Sequence, residues 1–294
     1  PYPGMEKKTG PIPVVRIGEA TGILVNGVFG DPLFHLRLHN RKRSILFDLG
    51  EGGRLPARLA HQVSDVFVSH AHIDHICGFL WLMRSRIGVP QCCRLFGPPG
   101  LSDRIAGLMN GILWDRIGEE GPRFEIGELH DDRLFMYGVQ AGREKKALLG
   151  RRPAGGGLLL DDPDCRVWAV TLAHGGIPVL AYSLEQAPKY NVRKEYLAGR
   201  NLTPGPWLGE LKNRIGAGDR KARIRLPDDT TGPAGSLADD LLLVTPAQKL
   251  VYATDLSDTG ANRRKLTGLA RGAHTFFCEA AFIAADSRYA ELSG

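Results

Sequence analysis

The chain has 294 residues, 43% of them hydrophobic, and carries a formal net charge of +6. This is enough for one large domain or two small ones with a buried core. No stretch reaches the roughly 18 consecutive apolar residues of a membrane span, and no early segment has the regions of a signal peptide. The excess of positive charge weakly favours polyanionic partners such as nucleic acid.

The five cysteines are odd in number and irregular in spacing. That pattern favours a reduced, cytoplasmic protein over a disulfide framework. Residues 1–12 are interpreted as a flexible N-terminal tail and take no part in the predicted fold.

The first part of the chain predicts short strands, turns and then alternating helices. A Gly-Pro-Pro-Gly breaker at 97–100 separates the last strand of this part from the helix after it. The predicted strands are 13–17, 22–25, 33–38, 44–48, 63–69 and 93–96. One predicted helix ends near residue 61, and two others cover 76–86 and 101–113.

Residues 143–166 are basic and glycine-rich, which favours a solvated surface loop over a functional excursion. Strands are predicted again at 166–172, 249–254 and 275–278, with a polar, turn-rich stretch at 218–237. This succession predicts a layered α/β or α+β fold.

Four metal-binding side chains occupy six positions between two apolar runs: His70, His72, Asp74 and His75. At a strand end, His70 and His72 project to the same side because they are two residues apart. Imidazole and carboxylate ligands suit zinc, with iron or manganese as alternatives. The cluster therefore predicts a metal site with room for two ions.

Two further ligand types each follow an apolar strand, His174 and Asp255. Taken alone, a histidine there is more often a surface or packing residue, and an aspartate more often a cap. Their shared position at strand ends, like that of His70, favours a role in the same site.

The order His-x-His-x-Asp-His, then His, then Asp resembles the metallo-β-lactamase fold, and within it ribonuclease Z. Further likenesses are Gly97-Pro98 and the segments 45–52, 204–212 and 279–282. The resemblance implies an α+β fold of four layers, αβ/βα, in which two sheets pack face to face between outer helices. It spans about residues 14–292.

The resemblance implies one metal bound by His70, His72 and His174, and a second bound by Asp74 and His75. Asp255 would bridge the two ions. Zn²⁺, as one or two ions, is the expected cofactor, with Mn²⁺ or Fe²⁺ possible.

Two catalytic roles are also implied by the resemblance. Asp74 would accept a proton from the attacking water, and Glu279 would orient a histidine that protonates the leaving oxygen. Asp48 would lie behind a ligand imidazole and fix it, although a simple turn residue is an equally good interpretation.

The chain departs from the ribonuclease Z pattern at several positions. Ile73 replaces a glycine, Cys278 a histidine and Ala281 a threonine. Two later histidines of the family are absent from this sequence, and His274 lies at the wrong end of its strand to replace one. We therefore expect a single domain over 1–294 that lacks its C-terminal part, with a weakened or empty second metal site.

Residues 185–215 resemble the protruding arm with which the family grips tRNA. Lys189, Arg193, Lys194 and Lys212 would then contact phosphates. An ordinary helical excursion with a solvated charged face is the equal alternative.

The sequence thus predicts a ribonuclease Z-like endoribonuclease that cleaves 3′ trailers from tRNA precursors. One alternative is a small-molecule hydrolase of the same fold, such as a cyclic nucleotide phosphodiesterase, arylsulfatase or lactonase. Another is a relative that binds nucleic acid without catalysis. The family resemblance also suggests that the protein forms a homodimer, but no pattern in the sequence itself indicates one.

Overall fold

The structure, a computed structural model, describes residues 10–39, 41–117 and 121–280. The chain divides into two compact units. The first unit consists of the chain up to Glu185 and again from Lys249, and the second unit is Gln186–Gln248. Most of the predicted tail, and Ala281 and Phe282 of the 279–282 segment, lie outside the described residues.

The described residues form strands and helices throughout both units. The strands are β1 (Val14–Ile17), β2 (Ala20–Leu24), β3 (Phe34–Leu38), β4 (Arg43–Phe47), β5 (Val63–Phe67), β6 (Cys93–Gly97), β7 (Arg123–His130), β8 (Arg133–Gln140), β9 (Ala147–Pro153), β10 (Leu158–Asp161), β11 (Cys165–His174), β12 (Ile177–Gln186), β13 (Lys189–Val192), β14 (Arg223–Arg225), β15 (Thr231–Pro233), β16 (Leu242–Thr245), β17 (Lys249–Ala253) and β18 (Thr275–Cys278). The helices are α1 (Ala57–Ala60), α2 (Ile73–Ile76), α3 (Phe79–Ser85), α4 (Leu101–Asn110), α5 (Lys194–Gly199), α6 (Pro206–Gly216), α7 (Ala234–Leu241) and α8 (Gly260–Ala270).

Two sheets form the first unit. Strands β1 to β9 lie side by side in chain order in a nine-stranded sheet, and β4 to β7 run parallel to one another. The second sheet has the order β10-β11-β12-β17-β18, with β17 and β18 parallel. Because parallel strands end at the same edge, the residues that follow β4 and β5 are brought together, as are those that follow β17 and β18.

The main core fills the space between these sheets and is rich in aromatic rings. Phe47 and Phe67 of the large sheet stack with centroids 5.3 Å apart. Tyr252 of the small sheet lies 5.4 Å from Phe47, and Tyr182 lies 5.4 Å from Phe67. These contacts join the two sheets face to face.

Helices cover the outer face of each sheet. Phe79 and Leu82 of α3 and Ile105 of α4 pack on the large sheet, and Leu269 of α8 packs with Val251 on the small one. The predicted α+β architecture, with two sheets between outer helices, is therefore confirmed.

The prediction of a surface loop over 143–166 is wrong. Residues in this stretch form β9, which pairs with β8, and β10, which pairs with β11. Six of the seven residues of β9 are exposed because it is the outermost strand of its sheet. Its two arginines and its final proline are residues typical of an edge strand.

A partly buried network of ion pairs lies where the parallel strands begin. The candidate site residues follow the opposite ends of β4 and β5. Arg43 lies 2.7 Å from both Asp65 and Asp162, and Arg94 lies 2.6 Å from Asp65. Asp65 is fully buried. The network ties β4, β5 and β6 to the turn between β10 and β11.

The second unit has its own small core. Leu197, Trp207, Leu211, Ile224 and Leu241 pack together within it. Strand β13 pairs with β16, and β14 pairs with β15. The predicted arm, 185–215, corresponds to the first half of this unit.

None of the described helices is long and apolar enough to cross a membrane. The five cysteines are all unpaired thiols.

Candidate metal centre

The loop after β4 and the loop after β5 lie together because their strands are parallel. Ser69 donates its backbone N–H to Oδ1 of Asp48 at 2.6 Å. Leu49 donates to the carbonyl of His75, and Gly78 donates to the carbonyl of Leu49, both at 2.8 Å. A Cβ on Gly78 would lie 2.0 Å from the carbonyl oxygen of Gly50, so glycine is required for this close approach.

Three histidines form what we call the first cluster: His70, His72 and His174. One ring nitrogen of each lies within 4.8 Å of the others. The ring centroids are 4.4 Å apart for His70 and His72, and 5.6 Å apart for His72 and His174. Three convergent imidazoles are a ligand set that suits zinc.

His70, His75 and Asp255 form the second cluster, which shares His70 with the first. Oδ2 of Asp255 lies 2.6 Å from Nε2 of His75 and 3.4 Å from Nε2 of His70. The carboxylate thus reaches both clusters.

Asp74 belongs to neither three-residue group among the described residues. Its Oδ2 lies 3.4 Å from Nε2 of His75, and its side chain is 48% exposed. It is therefore positioned at the solvent side of the second cluster.

The donor atoms fit a divalent ion. Nε2 of His70 and Nε2 of His75 are buried and have no hydrogen-bond partner among the described residues, which is rare for buried polar atoms. Both lie within 3.4 Å of Oδ2 of Asp255. Buried imidazole nitrogens that converge with a carboxylate are the arrangement that a metal ion completes.

Asp48 lies behind His75 and is fully buried. Its Oδ2 is 2.9 Å from Nδ1 of His75 and accepts hydrogen bonds from the hydroxyls of Ser69, Tyr252 and Thr254, at 3.0 to 3.3 Å. The carboxylate thereby holds the imidazole with Nε2 directed at the centre, as such partners do in metal sites.

The metal-free protein has unequal histidine pKa values at the two clusters. Burial lowers the pKa of His70 to about 4, aided by the nearby His75. Burial also acts to lower the pKa of His75, but Asp48 and Asp255 outweigh it and raise that pKa to about 11. His75 and the other neighbouring histidines hold the pKa of the Asp255 carboxyl below its usual value, against the effect of burial.

Two of the site carboxylates lie on strained backbone. Asp48 has φ 56° and Asp255 has φ 42°, a left-handed conformation that costs on the order of 1 kcal/mol or more for residues other than glycine. Backbone strain of this kind clusters at functional sites.

Glu279 lies beside Asp255 because β17 and β18 are parallel. The register pairs Ala253 with Cys278, and Glu279 donates its N–H to the carbonyl of Ala253. Its Oε2 accepts a 3.3 Å hydrogen bond from the N–H of Asp255. His274 precedes the same strand, with its N–H on the carbonyl of Lys249, and so lies at the opposite end.

The residues expected to bind nucleic acid all fall in the second unit. Lys189 lies on β13, Lys194 begins α5, and Lys212 lies half-buried on α6. Arg193 lies over the ring of Tyr196, 5.4 Å from its centroid. Three of the four residues lie on different elements of this unit, and Arg193 is the N-cap of α5.

The structure adds site residues that sequence reasoning missed. Ser69 and Tyr252 contact Asp48, and Asn262 contacts the strand that carries His174. Ser69 is adjacent to the histidine cluster, which is a signal that could have been used. Tyr252 and Asn262 lie in an apolar strand and a helix, and nothing in their sequence positions marks them.

The fold and the two clusters define a metal-binding protein of the metallo-β-lactamase type. Residues 36–167 match the family model described as the metallo-β-lactamase superfamily. The chain is 31% identical to ribonuclease Z of Deinococcus radiodurans over 238 residues, which cover 79% of this chain and 69% of that protein. The chain therefore belongs to the ribonuclease Z family of the metallo-β-lactamase superfamily.

Other similarities are more distant. Ribonuclease Z of a Picosynechococcus species is 28% identical over 75% of this chain and 59% of its own length. The crystal structure of the short form of human tRNase Z covers 59% of this chain and 62% of its own, at 21% identity and a TM-score of 0.34. The chain thus spans between 59% and 69% of the length of these two bacterial relatives.

Proposed function

We propose that the chain is a metal-dependent phosphodiesterase of ribonuclease Z type that cleaves 3′ trailers from tRNA precursors. The observation that carries this proposal is the pair of clusters that share His70, with the Asp255 carboxylate within 3.4 Å of both His70 and His75. Two adjacent metal positions are the arrangement that stabilises both the attacking and the leaving oxygen of a phosphoryl transfer.

Divalent ions held by these residues, Zn²⁺ first among them, would supply Lewis-acid stabilisation of the charge that develops on the phosphoryl oxygens. Asp74, half exposed at the solvent side of the second cluster, is the side chain available to accept a proton there. Asp48 keeps His75 oriented, and Glu279 holds the backbone of Asp255 in place.

An RNA substrate is supported by the second unit and by the relatives. The second unit carries an excess of lysine and arginine over acidic residues. Lys189, Arg193, Lys194 and Lys212 are the cations that we propose contact RNA phosphates, through charge attraction that is sensitive to salt. The relatives whose sequences match are named ribonuclease Z.

The test is a cleavage assay with a tRNA precursor that carries a 3′ extension. We expect metal-dependent release of the trailer, abolished by EDTA and by His72→Ala. A precursor without the extension, and Arg116→Ala at an exposed residue, serve as controls. Binding of the precursor with no cleavage under Zn²⁺, Mn²⁺ or Fe²⁺ would contradict the catalytic proposal and favour a binding protein.

A small-molecule hydrolase is the second candidate, and two observations favour it. A cleft of about 410 Å³ opens beside Glu279 and is lined by Phe29, Phe277 and Thr254. Ile73, between two ligands, is 79% exposed. Apolar surface next to a metal centre suits a compact substrate with an apolar group beside the bond that is cleaved. Hydrolysis of a chromogenic phosphodiester, an aryl sulfate or a lactone, without precursor cleavage, would favour this candidate.

A further inference from the structure

Asn262 is a buried polar residue whose amide is engaged on all sides. It lies on α8 and is 2% exposed. Its Oδ1 accepts from the N–H of Ala173 at 3.0 Å, and its Nδ2 donates to the carbonyls of Ala173 and Ser257, both at 2.8 Å. Both amide hydrogens and the carbonyl oxygen are therefore satisfied.

Each of the two backbone segments that Asn262 holds carries a candidate metal ligand. Ala173 directly precedes His174 of the first cluster, and Ser257 lies two residues after Asp255 of the second. Ser257 reinforces the link, since its N–H donates to the carbonyl of Ala173 at 2.9 Å and its hydroxyl accepts from Gly175 at 3.2 Å.

Strand pairing does not join these segments. In the small sheet β12 lies between β11, which carries His174, and β17, which leads to Asp255. No ladder of backbone hydrogen bonds joins the two segments directly, because each of their strands pairs with β12 instead. The direct links between them are the bonds made by Asn262 and Ser257 beyond the strand ends.

Asn262 is itself fixed in position at the start of its helix. Its backbone N–H donates to the hydroxyl of Thr259, the N-cap of α8, at 3.1 Å. The amide therefore projects from a capped first turn, and little rotational freedom is left to it.

We propose that Asn262 is a positioning residue that sets the spacing between His174 and Asp255, and hence between the two clusters. The inference rests on the proposed metal centre. It goes beyond the centre by assigning a determinant of metal geometry to a helix that supplies no ligand.

Co²⁺ titration of the metal-depleted chain, followed by visible absorption, tests this role apart from catalysis. We expect Asn262→Ala to weaken Co²⁺ binding by about 10- to 100-fold, the range seen when partners of metal ligands are removed, and to alter the absorption bands of the bound ion. Asn262→Asp retains the volume but loses both donors, and we expect the same two effects.

Leu269→Ala is the matched control. Leu269 is a buried apolar residue of the same helix, 9% exposed, and its truncation lowers the melting temperature without touching the bridge. We expect its Co²⁺ affinity and absorption bands to match those of the wild type.

The outcomes separate the two proposals. Unchanged affinity and unchanged bands in a folded Asn262→Ala or Asn262→Asp chain overturn the positioning role while the metal centre stands. Absence of Co²⁺ binding by the wild type overturns the metal centre and this inference with it.

Discussion

The hydroxyl of Tyr252 donates a 3.0 Å hydrogen bond to Oδ2 of Asp48, across the interface between the two sheets. The same oxygen lies 2.9 Å from Nδ1 of His75. A buried chain of contacts therefore runs from the small sheet to a candidate ligand on the large one. It makes the orientation of His75 depend on how the sheets pack.

Tyr252→Phe should lower the metal affinity of the second cluster about 10-fold, because Asp48 loses a donor that fixes it against His75. The lost hydrogen bond in a buried site should also destabilise the fold by about 1 to 2 kcal/mol. Zn²⁺ titration by calorimetry and urea unfolding measure the two effects.

Tyr182→Phe is the matched control, since the Tyr182 hydroxyl donates to the backbone carbonyl of Val68 at 2.5 Å rather than to Asp48. We expect a similar loss of stability with less than a threefold change in affinity. Equal losses of affinity in the two variants would contradict the role given to Tyr252.

Buried His35 should make the fold less stable in acid. Burial, with help from Arg37, lowers its pKa to about 4, whereas an unfolded chain has a histidine pKa near 6.5. Between these values the unfolded state binds more protons, so stability falls as pH drops from 6.5 to 4, by up to about 3 kcal/mol.

His35→Leu should remove this acid sensitivity. Within the part of the chain that the structure describes, the buried Nε2 of His35 has no hydrogen-bond partner, so we expect no loss of stability at pH 7. Urea unfolding at several pH values provides the measurement, with exposed His61→Gln as the control. An identical pH profile in His35→Leu and wild type would refute the prediction.

Asp65→Asn should destabilise the first unit by about 3 kcal/mol, because it leaves Arg43 and Arg94 near the core with a weakened partner. The network lies at the starts of the parallel strands, away from the metal centre. We therefore expect Zn²⁺ affinity to stay within threefold of wild type. A stability change under 1 kcal/mol would show that the network is dispensable.

Reversing three charges of the second unit, as Lys189→Glu, Arg193→Glu and Lys194→Glu together, should weaken binding of a tRNA precursor at least 10-fold. The magnitude of the slope of log affinity against log salt should decrease by about 2, since each phosphate contact on a single strand contributes about 0.7. Fluorescence anisotropy at several salt concentrations measures both.

A triple variant with the same change of net charge in the first unit is the control: Lys42→Glu, Arg58→Glu and Arg84→Glu, all exposed positions. Its RNA affinity should exceed that of the second-unit variant by at least fivefold. Equal losses would mean that net charge alone attracts RNA.

The sequence predicted the candidate metal ligands better than the residues that hold those ligands in position. His70, His72, Asp74 and His75 form a compact pattern at one strand end, so their proximity follows from chain geometry. The partners behind them are remote in sequence. Tyr252 is 204 residues from Asp48, and a tyrosine in an apolar strand is indistinguishable from ordinary core.

The position of β9 at the edge of its sheet explains why a loop was wrongly predicted over 143–166. β9 is exposed along nearly its whole length, so no alternation of buried apolar and exposed polar residues marks it as a strand. The pairing with β8 that makes it a strand depends on the neighbouring sheet, which no local pattern reveals. The interior strand β5, by contrast, is almost wholly buried, and its apolar run predicted it correctly.

Zn²⁺ stoichiometry and affinity, measured by equilibrium dialysis with metal analysis, test the metal centre most directly. Because His70 is shared by both clusters, we expect one tightly held ion, lost in His174→Ala, and a weaker second ion, lost in His75→Ala. A wild-type chain that retains no Zn²⁺, two equally tight ions, or binding unaffected by either substitution would contradict this account.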